Sequence, residues 1–250
     1  MSTRIHAKAA TIYKDEIDYS GVSNGVVIDI DNPPAEVTAF ADVDATFVEG
    51  KAVFKINLNA LFDAVASGFD AEMFSDLTSE NRRVGVYPEG RTVGTPGYEG
   101  RTDISQAPRT AEKAGAILLN VTWQGDTPLA RARILATGTA IASTTTGTKY
   151  QHGDLSSTQT GVGVLRLLAA PGGAGSNACV VTIESDADSI AGGETTRITF
   201  ATLNQVSVAL HEVVEVAGAV TDAWWRAVVT ISGAGTRTFN LLISFGIRAT

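Results

Sequence analysis

Alternation of apolar and polar positions is strongest near the end of the chain. Trp225, Ala227, Val229 and Ile231 alternate with Arg226, Val228, Thr230 and Ser232, and after Gly233-Ala234-Gly235-Thr236 the alternation resumes with Phe239, Leu241, Ile243, Phe245 and Ile247. A two-residue period marks strands with one face on a core, and two such runs joined through a glycine-containing connection predict an antiparallel hairpin over residues 219–247. Gly233 and Gly235 supply the positive φ that such a turn needs.

The same period recurs through most of the chain. Val37, Ala39 and Ala41 share one face, as do Ala52, Phe54, Ile56 and Leu58, and Ile117, Leu119, Val121 and Trp123. Further strands are predicted over residues 83–87, 129–136, 162–169, 178–184, 195–201 and 206–216. Leu61, Val65, Phe69, Met73 and Leu77 instead recur every four residues, which predicts one or two short helical turns broken near Gly68. Residues 88–113 carry Gly90, Gly94, Pro96, Gly97, Gly100 and Pro108 without any period and read as a long loop. The resulting fold class is all-β with one short helix. Its segments are a polar, turn-rich arm over residues 1–35 that ends at Pro33-Pro34, a first run of strands over 36–140, a Thr/Ser/Gly-rich linker over 141–160, and a second run of strands over 161–250.

Composition supports this reading and narrows the function. With 44% hydrophobic residues in 250, the chain can bury one large or two modest cores. Charged residues, at 18%, are sparser than the usual quarter of a globular chain, which leaves surface for partners to cover. The net charge of −8 and the lack of any Lys/Arg cluster argue against a groove that grips nucleic acid by neutralising phosphates, while leaving open a surface that lets it slide past. No apolar run approaches membrane-spanning length and the first six residues lack the core of a signal peptide, so synthesis and folding in a cytoplasm are expected. The single Cys179 alternates with apolar neighbours and reads as a buried structural thiol.

Candidate chemistry is sparse. Glu184-Ser185-Asp186-Ala187-Asp188 has the acidic density of a calcium loop but neither its glycine nor its distal glutamate, so a solvated turn is favoured over a metal site. The loop Pro171-Gly172-Gly173-Ala174-Gly175 has no following lysine and reads as a hairpin turn rather than a phosphate cradle. His6, His152 and His211 lie far apart in sequence, and no set of residues supplies nucleophile, base and orienter; the expectation is a protein that is not an enzyme and takes no cofactor or metal. Trp224 and Trp225 are adjacent, so on a strand they face opposite ways and one of them meets solvent or a partner. Trp224, Tyr98, Arg91 and Arg101 are of the residue types enriched at protein interfaces and are the candidate contacts between subunits.

Several stretches together resemble the tail tube, or major tail, proteins of long-tailed bacteriophages. They are Glu36-Val37-Thr38-Ala39-Phe40, the strand after Glu49-Gly50-Lys51, Leu61-Phe62-Asp63, Val84-Gly85-Val86-Tyr87-Pro88-Glu89-Gly90, and the return strand ending at Gly125-Asp126. The resemblance covers mainly residues 36–136. It implies a tube-like β-sandwich or barrel over 36–140, with 161–250 as a second β-sandwich, in a virion protein assembled in the host cytoplasm whose chains join into rings of three or six. The rings would stack into a tube, contact other tail proteins, and pass DNA without binding it specifically. It also implies a helix on the outside of the sandwich, and a 88–113 loop and N-terminal arm that bridge neighbours. The second half, beyond what a tube domain needs, reads as a diverged duplicate or an outward decoration. A carbohydrate-binding or adhesive sandwich and a capsid decoration protein are the competing readings.

Overall fold

The computed structural model describes residues 9–31, 35–36, 47–48, 53–61, 69–77, 81–110, 117–204 and 206–249. In chain order the elements are β1 (Thr11–Lys14), β2 (Ile17–Asp18), β3 (Ser23–Asp31), β4 (Ala35–Glu36), β5 (Phe47–Val48), β6 (Val53–Leu61), α1 (Phe69–Asp76), β7 (Arg82–Tyr87), β8 (Pro96–Gln106), β9 (Arg109–Thr110), β10 (Leu118–Gly125) and β11 (Ala130–Ile141). They continue with β12 (Thr145–Thr146), β13 (Tyr150–Gln151), β14 (Gln159–Gly172), β15 (Ala178–Asp186), β16 (Thr195–Thr199), β17 (Leu210–Ala217), β18 (Trp224–Ser232) and β19 (Thr238–Ala249). The fold is all-β with one short helix, as the alternation predicts. The strand expected over residues 37–41 and the Glu49-Gly50-Lys51 turn lie outside the described residues.

The described chain forms two compact units drawn from interleaved segments. One takes residues 1–20, 83–99 and 130–250; the other takes 21–82 and 100–129. Strand β8 contributes its first four residues to the larger unit and the rest to the smaller.

The larger unit is a sandwich. One sheet runs β17-β14-β19-β11, and its β11 pairs with the start of β8. The other runs β12-β18-β15-β16, with β13 also on β18. Between the two sheets lie Leu165, Leu167, Phe239, Leu241, Ile243 and Phe245 from one side and Val181, Ile183, Ile198, Trp225, Ala227 and Val229 from the other, all buried. Trp225 stacks on Phe245 with ring centroids 4.1 Å apart and donates its indole N–H to the Gly153 carbonyl at 2.9 Å, so the large ring is buried with its polar atom satisfied.

The expected terminal hairpin is not one. Strands β18 and β19 belong to different sheets: β18 pairs with β15, β19 with β14 and β11. The two apolar faces do meet, but face to face across the core rather than side by side. The connection through Gly233 and Gly235 is therefore an arch between sheets. The glycine loop 171–175 is a second such arch, carrying β14 into β15. The two lie together, with Ser176 N–H donating to Ala234 O at 2.9 Å and Thr236 N–H to Ala174 O at 2.8 Å. Gly175 and Gly235 have φ of 117° and 141°, and a Cβ on Gly175 would stand 2.5 Å from the Gly235 Cα. Two adjacent arches can approach this closely only without side chains.

Three other expectations change. Residues 88–113 are not a long loop, because β8 occupies eleven of them. Its glycines sit under aromatic rings: a Cβ on Gly97 would lie 2.3 Å from the Tyr87 ring, and one on Gly100 2.4 Å from the Phe54 ring. In a strand, glycine at such a point marks a close approach, not a break. Residues 11–31 are strands rather than an arm, and Tyr13 and Tyr19 within them are buried. The segment 141–160 carries β12 and β13, both paired to β18.

The smaller unit is built on one sheet, in the order β8-β10-β6-β3. Phe54, Ile56, Leu58 and Ala60 of β6 and Leu119, Val121 and Trp123 of β10 are fully buried on its core face. Helix α1 buries Phe69 and Met73 at the predicted spacing of four. Asp76 at its end pairs with Arg82 at 2.8 Å, and Asp70 in its first turn with Arg109.

Candidate functional site

Strand β3 ends the sheet of the smaller unit. It is antiparallel to β6 from Ser23↔Ala60 to Asp31↔Val53, and among the described residues nothing pairs with its other side. Val26, Ile28 and Ile30 lie opposite the buried Leu58, Ile56 and Phe54, yet Ile30 is 63% exposed, and Val27 on the reverse face is 51% exposed. From Asn24 to Asp31 this is an edge that no described strand pairs on its outer side, with exposed β-branched side chains, and such an edge is a template for another strand. In the larger unit β17 ends its sheet in the same way, after pairing with β14.

The reverse face of the smaller sheet is mostly polar, with Val27, Leu61 and Leu118 also exposed on it. Asp29, Asp31, Lys55, Asn57, Asn59, Asn120, Thr122 and Gln124 share it by the strand registers. Asn57 bridges two strands, donating to Asp29 Oδ2 at 2.9 Å and accepting from Thr122 Oγ1 at 2.8 Å. With Asp29 and Asp31 against Lys55, these polar residues carry a slight excess of negative charge.

The larger unit holds a buried charge network. Arg166 of β14 and Glu99 of β8 are both 0% exposed and form a bidentate pair at 2.6 and 2.9 Å. Ser244 donates to Glu99 Oε1 at 2.9 Å, Tyr87 donates to the same oxygen, and Arg166 Nε donates to the Asp15 carbonyl. Burial alone would raise the Glu99 carboxyl; the Arg166 guanidinium overrides it and holds the carboxyl below its ordinary value. Burial pushes Tyr87 well up, with Glu99 adding to it, so it stays a neutral donor. Asp15 carries the network outward: its carboxylate accepts from Arg83 N–H at 2.9 Å and lies 3.3 Å from His211 Nε2. The role of the network is structural, because every member is committed to another.

The acidic turn after β15 differs from the solvated turn expected. Asp186 is buried and grips Lys149, whose ammonium also meets Glu194 Oε1 at 3.0 Å and the Ile190 carbonyl. The protein's own cation fills the place a metal would take, and among the described residues no group of His, Cys, Asp and Glu is disposed to hold a metal ion. Cys179 is buried in the sandwich core, and burial pushes its thiol up to about 12, which leaves it unreactive. No helix among the described residues is long and apolar enough to cross a membrane.

The four candidate interface residues lie on separate segments of the chain, three in the larger unit and one in the smaller. Arg91 is exposed after β7, Tyr98 is half-buried in β8 opposite Arg131, and Trp224 is half-buried at the start of β18, facing away from Trp225. Arg101 belongs to the smaller unit, paired with Asp126 at 2.6 Å. The β3 edge, absent from that set, is legible in the Val26, Ile28, Ile30 alternation, which the flanking aspartates and glycines mask.

No family model matches the chain, and no curated protein matches it. Among solved structures, a chain from the virion of a native gene transfer agent particle is similar over 51% of this chain and 98% of its own, at 15% identity and TM-score 0.40. The SPP1 Dit protein, titled a paradigm of the hub adsorption apparatus in phages infecting Gram-positive hosts, is similar over 95% of this chain and 98% of its own, at 11% identity and TM-score 0.37.

Proposed function

We propose that this protein is a non-enzymatic structural component of a bacteriophage tail that joins edge to edge into rings, and that the rings stack into the tube through which DNA passes. The observation that carries the reading is the unpaired β3 edge with Ile30 and Val27 exposed. A chain with one open edge at β3 and a different one at β17 has the two unlike surfaces that a head-to-tail ring requires. The sequence resemblance over residues 36–136 supplies the kind of assembly. The mostly polar reverse face of the smaller sheet and the net charge of −8 suit a lining that DNA does not adhere to, because like charge repels phosphate. A ring of three or six chains, contacts to other tail proteins and a place in the virion follow from this reading.

Negative-stain electron microscopy of the concentrated protein tests it. Tubes of uniform diameter are the expected result. Single closed rings that do not stack would replace the tube with a terminal ring or hub. Monomers at high concentration, under conditions where the fold is intact, would overturn the assembly reading altogether.

A further inference from the structure

Nearly every described arginine outside one cleft is committed: Arg82, Arg101, Arg109, Arg166, Arg197 and Arg226 each hold a carboxylate. Among the described residues Arg91 and Arg237 are not paired with a carboxylate, and neither are two arginines that stand side by side in a cleft of about 510 Å³ in the larger unit, lined by Arg131 and Arg133 of β11 together with Gln151, His152, Asp154 and Gln159. Among the described residues neither arginine has a carboxylate within ion-pairing distance, in a chain where 27 acidic residues outnumber 19 basic ones. The two alternate along β11 and so share a side of the strand. Arg133 is fixed in place, donating to the Gly94 carbonyl at 2.6 Å and lying over the Tyr150 ring at 5.6 Å. The cleft also offers acceptors. Asp154 and Gln151 are exposed with no side-chain partner among the described residues, and Gln159, whose carbonyl takes the Ser156 N–H at 2.9 Å, keeps its own amide donors.

We infer that this cleft binds a saccharide that carries a carboxylate, with the acid group on Arg131 and Arg133 and hydroxyls on Asp154, Gln151 and Gln159. A bare anion satisfies the guanidinium groups but leaves Asp154 facing like charge. A neutral sugar satisfies Asp154 and the amides but leaves two guanidinium groups without a counter-ion. A hydroxylated ligand with one carboxylate meets both sets, since a hydroxyl donates and accepts together and a planar guanidinium matches a carboxylate in two hydrogen bonds. The volume lies within the range of small-ligand sites and suits one or two sugar rings. His152 adds no charge, because burial holds its imidazole below its ordinary value.

The test is an amide-resolved NMR titration of the full chain at pH 7 with digalacturonic acid, its dimethyl ester and sodium acetate. Digalacturonic acid should shift residues 131–133 and 151–154 and bind at least about tenfold more tightly than the ester or acetate. Arg131→Gln, at an exposed position with no structural partner, should remove that preference while the melting temperature and any tube formation stay unchanged, so loss of the site and loss of assembly are separable. Asp154→Asn should narrow the preference for the disaccharide over acetate, by removing a hydroxyl acceptor from the one and a like charge from the other. Equal affinity for acetate and the uronate would reduce the cleft to a plain anion site. No shift at millimolar disaccharide, or full binding by Arg131→Gln, would overturn the inference.

Discussion

The two units solve the same problem, burying one face of a sheet, in opposite ways. In the larger unit the β14–β19 pair is covered by a second sheet on one face, while its other face carries Arg166 and Ser244 into a fully hydrogen-bonded network. In the smaller unit a single sheet buries one face, leaves the other mostly polar, and stops at an edge with apolar side chains in water. The contrast sets up a division to test, in which the buried network of the first carries stability and the open β3 edge of the second carries association. Closed arches and satisfied charges hold the larger unit together, whereas open edges, β3 in the smaller unit and β17 in the larger, are what a neighbouring strand can use.

The largest test of that division is the buried pair. Arg166→Met should cost about 3–5 kcal/mol in a denaturant melt, because it leaves the Glu99 carboxylate buried without a counter-ion. Adding Glu99→Leu to that variant should recover a large part of the loss, since both charges are then gone. A single variant as stable as the parent would show that the network contributes nothing to the larger unit.

Next in size are the glycines. Gly235→Ala should cost about 1–3 kcal/mol, from the strained positive φ and from the approach to Gly175. Gly97→Ala should cost about as much, by driving a methyl into the Tyr87 ring. If Gly97→Ala melts with the parent, β8 is less closely packed than described. For the same reason, replacing residues 92–102 by a flexible linker should unfold the larger unit, since Glu99 and the pairing of β8 with β11 leave with it.

These positions also show how far the sequence could be read. Period-two alternation identified Phe239, Leu241, Ile243 and Phe245 as one buried face, and Trp225, Ala227 and Val229 as another, correctly in each case. It could not say whether the two strands pair or face each other, because alternation reports which side is buried and nothing about which backbone is adjacent. Gly97 and Gly100 misled in a related way: a glycine under a ring and a glycine in a turn are the same letter. The Arg166–Glu99 pair was illegible, since its members are 67 residues apart and each looks like a surface charge. The Arg131 and Arg133 cleft depends on three separate segments meeting, which no local pattern records.

A change at the edge should move assembly rather than stability. Ile30→Lys places a charge on an exposed position, so its effect on a melt should fall within about 0.5 kcal/mol, as for other surface changes. Charge on an edge strand opposes strand addition, and tubes should be absent or much shorter by electron microscopy. Tubes of parental length would place the contact elsewhere, with β17 the next edge to test.

The smallest effect, and the one that shows the sandwich itself has a loosely held part, concerns residues 187–194. Lys149 ties this connection down through Asp186, Glu194 and the Ile190 carbonyl. The hydrogen bond from Lys149 holds the Asp186 carboxyl below its ordinary value, and Glu194 is lowered to about 2 by its own backbone N–H, then by Lys149 and the Gly192 N–H. A carboxyl whose folded pKa lies below its unfolded one stabilises the fold above the ordinary carboxylate range, near pH 4, and that contribution disappears as pH falls toward 2. Amide exchange at Ile190 and Gly192, whose N–H groups bond to Asp188 and Glu194, should therefore quicken between pH 4.5 and 2, while the β15 and β18 core amides stay protected. Lys149→Met should open the connection at pH 6 and flatten the dependence. If these amides exchange at pH 2.5 as the intrinsic rates alone dictate, or if Lys149→Met leaves them protected, the segment is held by its own turns and the lysine is only a counter-ion.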